Sequence, residues 1–162
     1  MLSKDTGVSN TRPSRYEFPL NMWYVAALSD EISTKPLKRE MLNEPIVLFR
    51  TEEGEIGALE DRCCHRELPL SLGSVEQSGL RCGYHGLLFN CSGECIEIPG
   101  QEIIPERAKV RSYFIIEKAP LVWIWFGSEY DLEPTQPPPE YDVHDDDRYL
   151  YGGDVYHYDA PY

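Results

Sequence analysis

The chain has 162 residues, with 15 Lys and Arg against 28 Asp and Glu, a formal charge of −13 at neutral pH. That balance, with no basic stripe, argues against nucleic acid and anionic membranes as partners, while 41% hydrophobic residues suffice for one real core. The longest apolar run, Pro120 to Gly127, is far short of the ~20 residues a membrane span needs, and the opening MLSKDTGVSN lacks the apolar stretch of a secretory leader, so a cytoplasmic location is expected.

Residues 1–20 are polar and aperiodic and read as a flexible arm. From Asn21 the segment NMWYVAALSDEI is apolar and then acidic, which predicts a short strand followed by a turn. PIVLFR (Pro45 to Arg50) and EIGALE (Glu55 to Glu60) flank a short connection containing Gly54 and predict a hairpin. LLFN (Leu87 to Asn90) and ECIEIP (Glu94 to Pro99) around Ser92 and Gly93 predict a second. SYFIIEK (Ser112 to Lys118) and LVWIWF (Leu121 to Phe126), turning at Ala119 and Pro120, predict a third. No segment shows sustained helical periodicity, so the class is mainly β. Trp23, Trp123 and Trp125, with Tyr24, Tyr84 and Phe89, are expected to fill a small β core.

After Phe126 the composition changes. Residues 129–147 hold eight acids, four prolines and no Lys or Arg, which reads as a solvated linker or surface excursion. Residues 148–162 then alternate aromatic with small or polar side chains, like the first strand of something further.

The five cysteines are odd in number and lie in two clusters, with histidines beside three of them, a pattern that in a reducing cytosol speaks for metal ligation over a disulfide scaffold. The informative residues are Cys63, Cys64 and His65 in DRCCHRELPLSLG, and Cys82 and His85 in LRCGYHGLLF. Read as C-x-H and, after 16 intervening residues, C-x-x-H, they bring two thiols and two imidazoles from two loops. Such a set can bind zinc or an iron-sulfur cluster. A zinc finger usually pairs cysteine with cysteine in one loop and histidine with histidine in the other. Here each loop donates one of each, which suits two irons, the cysteines on one and the histidines on the other. Gly86 lets the backbone approach closely, Leu68, Pro69 and Leu70 can wall off one side, and IPGQ (Ile98 to Gln101) can cover another. Cys95 reads as core packing and Cys91 as a turn or strand residue.

On WYVAAL, CCHRELPLSLG, CGYHGLLFNCSGECIEIPGQ and VRSYFIIEKAPLVWIWFG, residues 21–128 resemble the Rieske domain of Rieske non-haem iron aromatic-ring oxygenases, of the vanillate demethylase and phthalate dioxygenase type. The resemblance implies an antiparallel β-sandwich with a small cluster-binding subdomain, 129–147 as a linker, and 148–162 as the start of a further, catalytic domain. It implies a [2Fe-2S] cluster held by Cys63 and Cys82 on one iron and His65 and His85 on the other, the latter nearer the surface. Many members have proline where this chain has Cys64, and again where it has Gly83. Respiratory Rieske proteins add a disulfide and a hydrogen-bonding serine; the corresponding positions resemble Leu68, Tyr84 and Leu87, which supply neither, so a potential at the low end of the Rieske range of roughly −150 to +300 mV is expected.

The same resemblance implies a flavin or ferredoxin-type reductase as electron donor. It also implies an oxygenase catalytic domain, in a neighbouring subunit of a homotrimer, as acceptor. The mononuclear ferrous site of such enzymes needs two histidines and a carboxylate. His144 and His157, 13 apart in sequence, do not form the expected H-x4-5-H pair and read as surface or strand residues, so the ferrous iron is expected only in a further domain and no catalytic residue is assigned here. Two other readings remain: a self-standing Rieske-type ferredoxin carrier, and a zinc-binding interaction module.

Overall fold

A computed structural model of the chain describes residues 18–118, 120–128, 133–140 and 148. Among these, ten strands form three antiparallel sheets. The first sheet, in the order β1-β10-β9, brings β1 (Met22–Leu28) onto β10 (Leu121–Phe126), with β9 (Ile115–Lys118) beyond. Pairing Trp23 with Trp125 and Leu28 with Leu121 fastens one end of the domain to the other. The second sheet is β2 (Leu37–Met41), β3 (Glu44–Arg50) and β4 (Ile56–Glu60). The third is β5 (Ser74–Glu76), β6 (Gly79–Arg81), β7 (Leu88–Phe89) and β8 (Cys95–Glu97), in sequence order.

The run IVLF in β3 explains how these sheets cohere. Ile46, Val47, Leu48 and Phe49 are all completely buried, although alternate residues of a strand face opposite ways. Ile46 and Leu48 pack with Ala26, Val122, Ile124 and Phe126 of the first sheet. Val47 and Phe49 pack with Leu59, Leu70, Leu80 and Phe89 on the other side. The second sheet is therefore the middle of three layers, and burying these four side chains contributes about 1.5–3 kcal/mol each.

The turn chemistry matches the expected hairpins. Gly54 adopts φ +93° and donates its N–H to the Thr51 carbonyl at 2.9 Å, closing β3 onto β4. A further hairpin, not expected from the sequence, joins β2 to β3 through a two-residue turn at Leu42 and Asn43, at φ +51° and +61°. The expected core of aromatics divides. Trp23, Trp123 and Trp125 form a cluster of their own, Phe89 is buried under the third sheet, and Tyr24 is partly buried against the first-sheet core. Tyr84 departs from the expectation: it is 63% exposed, because its loop turns it outward beside His85. The third hairpin is shorter than expected, since Ser112 bridges to Leu59 of the middle sheet instead of entering β9.

Of the acidic stretch, residues 133–140 lie against the outer face of the first sheet. The Trp23 indole Nε1 donates to the Gln136 carbonyl at 2.7 Å, and Lys118 Nζ pairs with Glu140 at 2.7 Å. Most of the arm 1–20, residues 129–132 and 141–147 of the linker, and the strand expected within 148–162 fall outside the described residues, as do His144 and His157. Among the described residues no helix is long and apolar enough to cross a membrane.

Candidate metal centre

Two loops with one hydrogen-bonding pattern carry the Cys/His motifs. In the first, which leaves β4, the Cys63 N–H donates to the Leu68 carbonyl and the Glu67 N–H to the Cys63 carbonyl, both at 2.9 Å. In the second, which leaves β6, the Cys82 N–H donates to the Leu87 carbonyl at 2.8 Å and the Gly86 N–H to the Cys82 carbonyl at 3.1 Å. Each loop thus closes the same ring on its cysteine, and the residue four places on is left-handed in both, Glu67 at φ +57° and Gly86 at φ +76°. At the second position glycine has two reasons to be there: its φ, and a Cβ that would come within 2.9 Å of Pro99 Cγ.

The candidate donors segregate by depth. Cys63 and Cys82 are 2% and 3% exposed and belong to the inner core with Leu70, Leu80, Leu87 and Phe89. His65 and His85 are exposed, their ring centroids 4.6 Å apart at an interplanar angle of 59°. Tyr84 stacks on His85 at 3.8 Å. Burial pushes the Cys63 thiol up to about 11, opposed by a backbone hydrogen bond at His65 and reinforced by the adjacent Cys82 thiol. Two abutting thiols in an apolar floor are poor places for bare negative charge, and a bound cation is what offsets it. Among the described residues no three His, Cys, Asp or Glu side chains are placed to hold a single metal ion. The arrangement is a sulfur pair beneath a nitrogen pair, which fits two bridged metals better than one tetrahedral zinc.

The walls expected around the site are present. Leu70 is buried in its floor, Leu68 packs against that floor, and Pro69 leads into the 3-10 turn Leu70–Leu72. Ile98 and Gln101 pair across the IPGQ loop, whose Gln101 N–H donates to the Ile98 carbonyl at 3.1 Å. With Cys64, His65, Leu87 and Arg107 they line a cavity of about 440 Å³ on the imidazole side. Cys64 is exposed, and its thiol, pushed up by partial burial, also interacts with those of Cys63 and Cys82. Cys95 is buried in the inner core, its thiol donating to the Glu97 carbonyl at 3.3 Å, and Cys91 sits in the β7–β8 turn.

Three supporting residues carry no signal in the motifs as read above. Asp61, 4% exposed, accepts hydrogen bonds from the Ser71 N–H at 2.6 Å and the Ser71 hydroxyl at 2.7 Å, pinning the start of the first loop. Arg62 pairs with Glu67, and Arg81 Nη1 donates to the Gly86 carbonyl at 2.6 Å. For the arginines a cue does exist: each directly precedes a motif cysteine, in RCCH and in RCGYH.

Known proteins are similar to this chain over most of its length. The chain is 45% identical over 146 residues to the toluene-4-sulfonate monooxygenase system iron-sulfur subunit of Comamonas testosteroni, covering 90% of this chain and 42% of that protein. It is 42% identical over 147 residues to the vanillate O-demethylase oxygenase subunit of a Pseudomonas species, covering 90% and 40%. The crystal structure of dicamba monooxygenase bound to dicamba superposes with a TM-score of 0.74 at 40% identity, covering 80% of this chain and 41% of that one. The chain therefore spans about two fifths of these relatives. The profile of the Rieske [2Fe-2S] domain matches residues 22–113, which takes in both Cys/His loops. The cofactor is accordingly a [2Fe-2S] cluster, and the chain belongs to the Rieske [2Fe-2S] domain family.

Proposed function

We propose that Cys63 and Cys82 hold one iron of the cluster and His65 and His85 the other. The domain then serves as the electron-transfer part of an oxygenase component that hydroxylates or O-demethylates an aromatic substrate. The observation that carries this reading is the depth order: buried thiols below, paired imidazoles at the surface 4.6 Å apart. When bound, the cluster takes up and gives up one electron at a time. The residues around it decide how that happens. The inner core of Leu70, Leu80, Leu87 and Phe89 keeps water from the sulfur side, and the exposed imidazoles make the outer edge the route by which electrons enter and leave.

Electrons would come from a flavin or ferredoxin-type reductase. They would pass to a mononuclear ferrous site in a catalytic domain, supplied by a neighbouring subunit of a trimer, in the cytoplasm. On this reading residues 21–128 are the cluster domain, 129–147 the linker, 148–162 the lead into the catalytic domain, and oxygen is activated outside these residues. Support comes from the relatives, which are oxygenase components or iron-sulfur subunits of monooxygenase systems, and from positions Leu68, Tyr84 and Leu87, which offer neither a disulfide nor a serine to raise the potential.

The test is anaerobic purification of the chain with assay of iron and acid-labile sulfide. Equal, stoichiometric amounts of both are expected, with loss of both in Cys63→Ser and Cys82→Ser. In His65→Ala/His85→Ala the visible and EPR spectra should change or vanish. Absence of sulfide in the parent chain, or an unaltered cluster in the double histidine variant, refutes the assignment.

A further inference from the structure

The two motif loops share a frame, but they are not braced equally. We propose that Arg81 is the positioning residue that fixes the His85 imidazole, and that Arg62, its counterpart one residue before Cys63, does no such work for His65; this rests on the ligand assignment above.

Arg81 Nη1 donates to the carbonyl of Gly86, the residue immediately after His85, at 2.6 Å. The other side of that residue is tied by its N–H to the Cys82 carbonyl, and its Cα faces Pro99 too closely for any Cβ. The peptide that carries His85 is therefore held from three directions. Arg81 is itself immobilised: Nη2 donates to Glu76 at 2.8 Å and to Glu97 at 2.9 Å, and Nη1 also reaches Glu97 at 3.1 Å. One guanidinium thereby joins β5, β6, β8 and the turn after His85. Its planar fork suits this, since it holds several donors in fixed directions, whereas an ammonium on a flexible stem keeps the charge but holds them less rigidly.

In the first loop the corresponding arginine grips a side chain and not the backbone. Arg62 pairs with the Glu67 carboxylate, and the two side chains are 50% and 70% exposed, where such a pair contributes little. Glu67 bears the left-handed φ without the glycine that relieves it. His65 also borders the 440 Å³ cavity, whereas His85 is backed by Tyr84. The centre thus has one firmly mounted imidazole and one that yields.

The experiment uses the full chain loaded with its cluster under anaerobic conditions, as wild type, Arg81→Met, Arg81→Lys and Arg62→Met. Two readouts are taken: the low-temperature EPR line shape after dithionite reduction, which reports the ligand field of the imidazole-bound iron, and the rate of cluster bleaching in the presence of a chelator. Arg81→Met is expected to shift and broaden the EPR signal and to bleach about tenfold faster, the lower end of the loss seen when an outer partner of a metal ligand is removed. Arg81→Lys should move the line shape back toward wild type, and Arg62→Met should match wild type in both measurements. Equal effects of Arg81→Met and Arg62→Met overturn the proposal. If Arg81→Met does not fold, Glu76→Gln/Glu97→Gln, which frees the guanidinium from its anchors, replaces it, and an unchanged spectrum there overturns the proposal. A wild-type chain without acid-labile sulfide overturns instead the ligand assignment on which it rests.

Discussion

Two glycines with nearly the same backbone conformation provide a controlled test of the packing around the β7–β8 turn. Gly54 lies at φ +93° with nothing within 4 Å of where a Cβ would stand, while Gly93 lies at φ +82° with the Val110 carbonyl oxygen 2.0 Å from that position. Alanine at either site takes the left-handed penalty of about 1–2 kcal/mol, offset by about 0.4–1 kcal/mol from a less flexible unfolded chain. Gly54→Ala should therefore cost about 1 kcal/mol. Gly93→Ala must also push the segment 108–110 away, which adds about 1–3 kcal/mol of overpacking. It strains as well the hydrogen bond from the Val110 N–H to the Gly93 carbonyl, 2.8 Å long, for about 1 kcal/mol more. The total is about 3–5 kcal/mol. At about 2–4 °C per kcal/mol for a chain of this length, Gly54→Ala should lower Tm by about 3 °C and Gly93→Ala by about 10 °C or more. The assay is far-UV circular dichroism of the cluster-loaded proteins melted side by side under anaerobic conditions. Equal Tm shifts for the two variants would show that close approach to Val110 does not govern this turn.

Three other outcomes are expected. Asp61→Ala strands the Ser71 N–H and hydroxyl that it now receives at 2.6 and 2.7 Å, and should cost about 2–4 kcal/mol in urea unfolding. Cys64→Ser should leave iron content, sulfide content and visible spectrum unchanged, because Cys64 is exposed where Cys63 and Cys82 are buried and a serine hydroxyl can take its place beside them; parallel iron and sulfide assays against Cys63→Ser check this. The Arg50 guanidinium holds the Glu117 carboxyl below its ordinary value of 4.5, and Arg81 does the same for Glu76. Groups depressed in the fold stabilise it above about pH 4.5 and lose that contribution as pH falls through their lowered values. Tm measured from about pH 6 to about pH 3 should therefore decline at the acid end, and less steeply in Arg50→Met; a parallel decline in both would exclude the Arg50–Glu117 pair as a source.

How much of the structure is legible in the residues differs by element. The three hairpins carry apolar runs bounded by turn residues, and PIVLFR is readable because burial on both faces removes the polar alternation. β2 gives no such cue: LKREM is half exposed along its length, and its strand state comes from pairing with β3. β5 and β6 have three residues each, too few to show a period, and Gly79 in β6 is dictated by the Phe89 carbonyl, 2.0 Å from where a Cβ would stand. At the candidate metal centre the four Cys/His residues proposed as donors are plain from identity and spacing. The supports are not, because the grip of Arg81 depends on Glu76, Gly86 and Glu97 arriving from three different segments, and that of Asp61 on Ser71 in the turn beyond the first loop. Tyr84 misleads for a similar reason: an aromatic residue in a β-rich chain defaults to the interior, and only the loop geometry shows it standing outside against a histidine.

The middle sheet has a practical corollary for anyone altering this protein. Ile46 and Val47 are chain neighbours with identical, complete burial, yet they report to different compartments, Ile46 to the half built on the first sheet and Val47 to the half that cradles the thiols. Trimming the first should soften the domain while leaving its colour and redox behaviour alone. Trimming the second should disturb both, so a one-residue step along a single strand separates a purely mechanical lesion from an electronic one.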